Sequence, residues 1–278
     1  MNENPKISVL TPLYNTNPVH LKKMIESILN QTFKDFEFIL LNDSPKNIEI
    51  DSIVKSYNDE RIKYYKNDKN MGISASRNKL LNIAKGEYIA IFDHDDISLP
   101  LRLEKQAQYL DNHKSTGVVG CNYTTINSNK TTNFPCENSD IKKELVIMGL
   151  VIVHSGSMIR KSVLTENNLQ WEEEYSPCED YMLWARLINK TIFHNLKDVL
   201  LLYRDSQDNT TNKQSEKMAD CTDKIKNFLY KEYPYYNSLC SKNSRIYLFG
   251  IPIIRKQCRG NTAKYYLFNR IPFLKTVK

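Results

Sequence analysis

Residues 89–100 read IAIFDHDDISLP, an apolar run that stops at three carboxylates, Asp93, Asp95 and Asp96. Carboxylates this close repel one another and lose hydration at the tip of a buried segment. The arrangement is costly unless a cation or the donors of a substrate compensate it. Taken alone, the stretch also fits a solvated acidic turn that caps the next helix. The segments that position it decide between the two.

Those segments alternate in type. KISVLTPLYN reads as a buried strand that stops at Pro12 and runs into a loop. Asn17 and Pro18 supply an N-cap and a first helical position, and Val19, Leu21, Met24, Ile25, Ile28 and Leu29 follow at helical spacing. FEFILLND (36–43), RIKYYKN (61–67) and EYIAIFD (87–93) read as further strands, with helices expected over 48–58 and 73–84. Strands alternating with helices of this length predict βαβ units and a mostly parallel sheet covered on both faces. Ligands of such sheets bind beyond the carboxyl ends of the strands. Those ends carry Thr11, Pro12, Tyr14 and Asn15, then Asn42 and Asp43, then Asn70 and Gly72, then Asp93, Asp95 and Asp96. Polar residues at four successive strand ends converge on one crevice, which favours a binding site over an isolated turn.

Further along, the pattern predicts a helix over 101–113, a strand over 117–126, a helix over 141–150 and a strand with a turn in VIVHSGSMIR (151–160). EDYMLWARLIN (179–189) reads as an amphipathic helix with Glu179 and Asp180 in its first turn, and DVLLLY (198–203) as a strand. DSQDNTTNKQSEKMAD (205–220) has almost no apolar content and reads as a mobile loop.

Composition limits the function classes. The 278 residues suffice for one sizeable domain or for a domain with an appendage. Cys121, Cys136, Cys178, Cys221, Cys240 and Cys258 lie far apart with no CxxC pair, which reads as free thiols in a reducing compartment and not as a zinc site. MNENPKISVL lacks the pattern of a secretory signal, and LVIMGLVIV (145–153) is too short to cross a bilayer, so the expectation is a cytoplasmic protein with at most peripheral membrane contact. The net charge of +7 is segregated. Residues 241–278 hold nine Lys or Arg and no Asp or Glu, so the other 30 basic and 32 acidic residues leave 1–240 slightly acidic. This segment also repeats itself: YLFGIPIIRK (247–256) and YLFNRIPFLK (266–275) share Tyr-Leu-Phe, a spacer, Ile-Pro, two apolar residues and a base. Aromatic and aliphatic residues interleaved with bases suit an anionic membrane surface, or a C-terminal subdomain packed on the core. No motif points to nucleic acid.

SVLTPLYN, ILLNDSP, NMGISASRN, FDHDD and CEDYMLWARL, spread over residues 6–205, resemble in order the motifs of the family 2 glycosyltransferases of the GT-A fold, which transfer a sugar from a nucleotide donor. The repeated basic tail resembles those of bacterial surface-polysaccharide enzymes in that family. The resemblance implies an α/β domain with a Rossmann-like sheet over residues 1–205, its nucleotide-binding half reaching to about residue 100 and its acceptor half spanning 101–205. A loop and helix over 206–240 and a basic extension over 241–278 would follow.

It also implies roles. Thr11, Pro12, Tyr14 and Asn15 would line the nucleotide pocket, with Tyr14 against a uracil ring. Asp43 would accept a hydrogen bond from the base NH, although with Ser44 and Pro45 it also makes a good turn. Asn70 and Gly72 would bring backbone close to the donor, and Arg77 would meet a phosphate or brace the acidic cluster. Asp93-His94-Asp95 matches the DxD motif, in which Asp95 would ligate Mg²⁺ or Mn²⁺ directly, Asp93 would reach the ribose or a metal-bound water, and His94 would sit beside them. Asp96 would cap the following helix. Transfer with inversion needs a base, and the match falls on Asp180, with Glu179 the alternative. His154 would face acceptor or diphosphate, or be a core histidine. Trp171 and Trp184 would form an acceptor platform, although the helical position of Trp184 reads as core. Tyr203 and Arg204 would border the site, with 205–220 as a lid.

The expected function is therefore metal-dependent transfer of a hexose or N-acetylhexosamine from a UDP-sugar to a bacterial surface glycan, such as lipooligosaccharide or capsule, at the inner face of the cytoplasmic membrane. Nucleotidyl transfer onto a sugar phosphate is one alternative, although the first loop carries Pro-Leu-Tyr where a Gly-rich turn is needed. A non-catalytic glycan or membrane adaptor with the same fold is another.

Overall fold

The computed structural model describes residues 4–149, 151–205 and 214–234, and the backbone of four strands between residues 245 and 277. The chain divides into two compact units, residues 1–222 and 223–278.

The first unit is built on an eight-stranded sheet. β1 (Ile7–Leu13) and β2 (Phe36–Asn42) are buried at every position, as strands covered on both faces must be. β3 (Ile62–Lys66) is an edge strand of mixed exposure, and β4 (Tyr88–Ile91) is fully buried. β1 pairs in parallel with β2 and with β4, and β2 in parallel with β3. Pro12 fits within β1 because β4 pairs only with Ile7–Leu10, so the missing N–H breaks no ladder bond on that side.

The connecting helices are α1 (Pro18–Leu29), α2 (Ile48–Lys55) and α3 (Ile73–Ile83). α1 starts as its sequence predicts: Asn17 Oδ1 accepts from the N–H groups of Val19 and His20, at 2.9 and 3.3 Å, and Pro18 opens the first turn. Leu21, Met24, Ile25 and Ile28 carry the buried face of α1 into the core with Val9, Phe38 and Leu40.

The second half brings in antiparallel pairs that the alternation did not predict. After β5 (Ile97–Ser98) and α4 (Arg102–Asn112) come β6 (Thr116–Thr125), α5 (Asn138–Met148), a 3₁₀ turn at His154–Gly156, β7 (Met158–Arg160), α6 (Lys161–Glu166), α7 (Glu179–Leu187) and β8 (Ile192–Tyr203). The strand order is β3-β2-β1-β4-β7-β6-β8-β5, with β6 and β8 parallel, β7 antiparallel to both its neighbours and β5 antiparallel to β8. Two expectations are corrected. β8 runs 12 residues, starting well before Asp198. Residues 215–220 belong to α8 (Ser215–Glu232) and not to a loop, because Met218, Cys221, Ile225 and Leu229 recur at helical spacing behind a polar first turn. The remainder of the proposed lid, 206–213, lies outside the described residues.

A buried polar network holds the two flanks of the acidic stretch. Arg102 Nη2 donates to the Ile91 carbonyl at 2.7 Å, Gln106 Nε2 to the Gly156 carbonyl at 2.7 Å, and Gln31 Nε2 to the Leu99 carbonyl at 2.8 Å. The end of β4 and the start of α4 are thereby fixed on either side of Asp93–Asp96.

In the second unit, β9 (Arg245–Leu248), β10 (Ile251–Arg259), β11 (Thr262–Leu267) and β12 (Ile271–Val277) form an antiparallel sheet in the order β12-β11-β10-β9.

Candidate active site

Because β1 lies between β2 and β4 in a parallel set, the loops after β1, β2, β3 and β4 leave the same edge of the sheet. The direction of winding reverses between β1 and β4, where doubly wound sheets open a crevice. Thr11 and Pro12 are buried at one side of it, and the Thr11 hydroxyl finds no protein partner among the described residues. Tyr14 is 51% exposed, and Asn15 turns the loop at φ 45°, a conformation Asn tolerates. The Asn15 N–H donates to Ser44 Oγ at 2.7 Å, which ties this loop to the one after β2.

Asp43, next in that loop, is buried and held by three donors. Oδ1 accepts from Asn67 Nδ2 at 2.7 Å and from the Met71 N–H at 2.8 Å, and Oδ2 from the Gly72 N–H at 2.9 Å. A carboxylate has about four lone-pair directions. One on Oδ2 remains for a ligand. Asn70 is exposed and its Oδ1 also accepts from the Gly72 N–H, at 2.8 Å, while Gly72 itself sits at φ 83° as the N-cap of α3 with open space where a Cβ would be. Asn67 was not singled out from sequence, although it directly follows β3 and the same strand-end rule would have found it.

Arg77, one turn into α3, is the hub. Its Nη2 donates to Asp93 Oδ1 at 3.0 Å and its Nη1 to Glu179 Oε1 at 2.6 Å. Both Arg77 and Glu179 are buried, at 6% exposure each. Burial works against the guanidinium charge, but Asp93 and Glu179 outweigh it and hold its pKa above the ordinary value. Of its two expected roles, Arg77 takes the bracing one. It joins the acidic loop after β4 to the first turn of α7, with Glu179 lying 102 positions beyond Arg77 in the chain.

The acidic residues differ in their surroundings. Asp93 and Asp95 are half-buried, and the Asp93 N–H donates to Ser155 Oγ at 3.0 Å. Burial and the neighbouring Asp93 charge push the Asp95 carboxyl up, with His94 pulling the other way. Asp96 is fully buried and does not cap α4, whose N-cap is Leu101. Instead Asp96 Oδ1 accepts the Arg204 N–H at 2.8 Å, while Arg204 Nε donates to the Asp95 carbonyl at 2.8 Å. The segment leaving β8 is therefore tied to the acidic loop through Arg204. Arg102 adds a buried positive charge on the core side, its pKa lowered to about 10 by burial.

Glu179 is occupied by Arg77. Asp180 is half-buried, its Oδ1 accepts the Tyr181 N–H at 2.7 Å, and burial together with the Glu179 charge raises its pKa to about 6. Trp171 and Trp184 are 1% and 2% exposed, so neither is an acceptor platform. Trp171 Nε1, which can only donate, gives its hydrogen bond to His154 Nε2 at 2.9 Å. His154 is thereby fixed as the tautomer protonated on Nδ1, and burial with the Arg77 charge depresses its pKa well below the usual value. It is a neutral core histidine.

Among the described residues no three His, Cys, Asp or Glu side chains form a metal cage. Asp93 and Asp95 nevertheless fit a hard divalent cation: both are carboxylates and both keep surface open. An ion there would be completed by oxygens of its substrate.

Residues 8–167, more than half of the chain, match the family profile described as Glycosyl transferase family 2. The chain belongs to that family. It is 39% identical to an uncharacterised glycosyltransferase of Methanocaldococcus jannaschii, over 73% of this chain and 71% of that one. It is 33% identical to the O-antigen biosynthesis glycosyltransferase WbnJ of Escherichia coli, over 83% of this chain and 90% of that one. Among solved structures it resembles S. aureus TarS (residues 1–349) in complex with UDP-GlcNAc, with a TM-score of 0.62 at 20% identity over 73% of this chain and 60% of that one. It also resembles the mannosyltransferase PcManGT of Pyrobaculum calidifontis in complex with GDP-Man and Mn²⁺, with a TM-score of 0.59 at 12% identity over 86% of this chain and 74% of that one. The fold is the GT-A fold, and the family 2 chain is a glycosyltransferase. Glu179 and Asp180 lie beyond the stretch matched by the family profile, so their assignment rests on the geometry around Arg77.

Proposed function

We propose that this family 2 glycosyltransferase moves a hexose or N-acetylhexosamine from a UDP-sugar to a hydroxyl of a bacterial surface glycan, with inversion and with Asp180 as the base. The observation that carries the proposal is the Asp93–Arg77–Glu179 bridge, which ties the first turn of α7, where Asp180 follows Glu179, to the acidic loop. In this reading the remaining Asp43 lone pair accepts the uracil N–H, Tyr14 lies against the ring, and Thr11 supplies a hydroxyl to the nucleoside. Asp93 and Asp95 would hold Mg²⁺ or Mn²⁺, which when bound offsets their repulsion and the negative charge gathering on the departing diphosphate.

Asp180 takes the proton of the acceptor hydroxyl as its oxygen bonds to the anomeric carbon from the face opposite the diphosphate. The old bond from that carbon to oxygen breaks with its electron pair leaving on UDP. A carboxyl near pKa 6 is ionised at neutral pH and basic enough to help. Glu179 and Arg77 position the helix turn that presents it.

The surface-glycan assignment draws on WbnJ, an O-antigen enzyme, and the UDP-sugar on TarS, bound to UDP-GlcNAc. No helix among the described residues is long and apolar enough to cross a membrane. The basic segment 241–278 supports peripheral attachment to the inner face of the cytoplasmic membrane. Screening UDP-sugars for hydrolysis and transfer tests the reading: the intact chain should turn over at least one donor with added Mn²⁺, and Asp180→Asn should not. Equal turnover by Asp180→Asn removes Asp180 as the base.

A further inference from the structure

The sequence repeat of the C-terminal segment is also a repeat of structure. In YLFGIPIIRK, Leu248 pairs with Ile251 and Tyr247 with Pro252, and the register then shifts past Ile253. In YLFNRIPFLK, Leu267 pairs with Ile271 and Tyr266 with Pro272, and the register shifts past Phe273. Each copy is a hairpin with its bulge at the same position. Directly opposed residues of an antiparallel ladder share a face, and successive residues of a strand alternate between faces.

Following the pairs across β9, β10, β11 and β12 sorts the sheet into two unlike faces. Ile246, Leu248, Ile254, Leu267, Ile271 and Leu274 fall on one, with Lys256 as its basic position. Arg245, Arg255, Arg259, Lys264 and Lys275 fall on the other, together with Tyr247 and Tyr266. Residues 241–278 contain no Asp or Glu, so this second face has no acidic position to offset its charge.

We propose that the basic face of the β9–β12 sheet is a docking surface for an anionic phospholipid bilayer. Five basic positions spread over four strands define a broad patch, matched to a plane of lipid phosphates better than to the narrow groove of a nucleic acid. Tyr247 and Tyr266 lie among these bases, and Tyr is the residue type that settles at the headgroup level. The remainder of the chain is slightly acidic and would be repelled by the same bilayer, so attraction must be concentrated in this segment. The inference deepens the peripheral attachment proposed above and rests on it for the choice of membrane.

The test is co-sedimentation of the full chain with phosphatidylcholine vesicles, with and without about 40% phosphatidylglycerol. Arg255→Gln/Lys264→Gln/Lys275→Gln removes three charges from the basic face, and Lys22→Gln/Lys23→Gln/Lys55→Gln removes three from the first unit. The expected result is binding at least tenfold tighter to the anionic vesicles, weakened by 0.5 M salt, lost about tenfold in the first variant and kept within about twofold in the second. Undiminished binding by the first variant would leave membrane attachment standing and overturn the face assignment. No preference of the unmodified chain for anionic vesicles would overturn both. Displacement from vesicles by an equal charge of RNA would reassign the face to nucleic acid.

Discussion

Asp180 shows how function and stability pull in opposite directions at one residue. Glu179, Arg77 and Asp93 are the charged groups that face it, and their sum with burial leaves its pKa near 6 in the folded chain, above the ordinary carboxylate value of 3.8. A base must be unprotonated, so kcat/KM for transfer should fall as pH drops through about 6, which a pH–rate profile measures. Folding follows the reverse course: a raised carboxyl favours the fold when protonated, and that advantage is lost as pH rises through 6. Asp180→Asn should therefore reduce transfer by about 10²–10⁴-fold. It should also raise stability at pH 7, by about 1–3 kcal/mol at most, because 2.2 pK units correspond to roughly 3 kcal/mol before solvent screening. Arg77→Ala should do the opposite, leaving Glu179 buried without its partner at a cost of about 3–5 kcal/mol in chemical denaturation. The resemblance puts the base at Asp180 with Glu179 as the alternative. The proposal for Asp180 draws on the ion pair that engages Glu179 with Arg77, across about a hundred residues of chain.

Among the elements, the loop between β3 and α3 is the one whose backbone serves the site directly. Gly72 at φ 83° lets its N–H and that of Met71 converge on Asp43, while Asn67 holds the same carboxylate from the end of β3. Gly72→Ala forces a Cβ into a left-handed conformation and should cost about 1 kcal/mol or more, read as a lowered Tm. Asn67→Ala should weaken UDP binding about tenfold by calorimetry with kcat little changed, since Asp43 loses its side-chain donor while Asp180 is untouched. The parallel half of the sheet was legible because β1, β2 and β4 are apolar runs with polar tips, and the strand-end rule singled out Thr11, Asp43, Gly72 and Asp93. β5, with two residues, is too short to leave a pattern, and β8 begins in a stretch of mixed exposure that hides its period. Trp171 misled because an aromatic residue outside a regular helix gives no sign in sequence of whether it is buried. Its indole N–H is committed to His154.

For the molecule as a whole, the proposed donor site is a crevice at the β1/β4 edge of the first unit in which Asp43 would meet uracil and the acidic loop the diphosphate. The most direct measurement is calorimetric titration of the full chain with UDP, with and without Mn²⁺, beside GDP and the Asp95→Ala variant. Binding of UDP that strengthens with Mn²⁺, falls at least tenfold in Asp95→Ala and exceeds that of GDP is the predicted result. Failure to bind either nucleotide, or equal affinity for UDP and GDP that ignores both metal and Asp95, would contradict it and return Asp93, Asp95 and Asp96 to a structural turn.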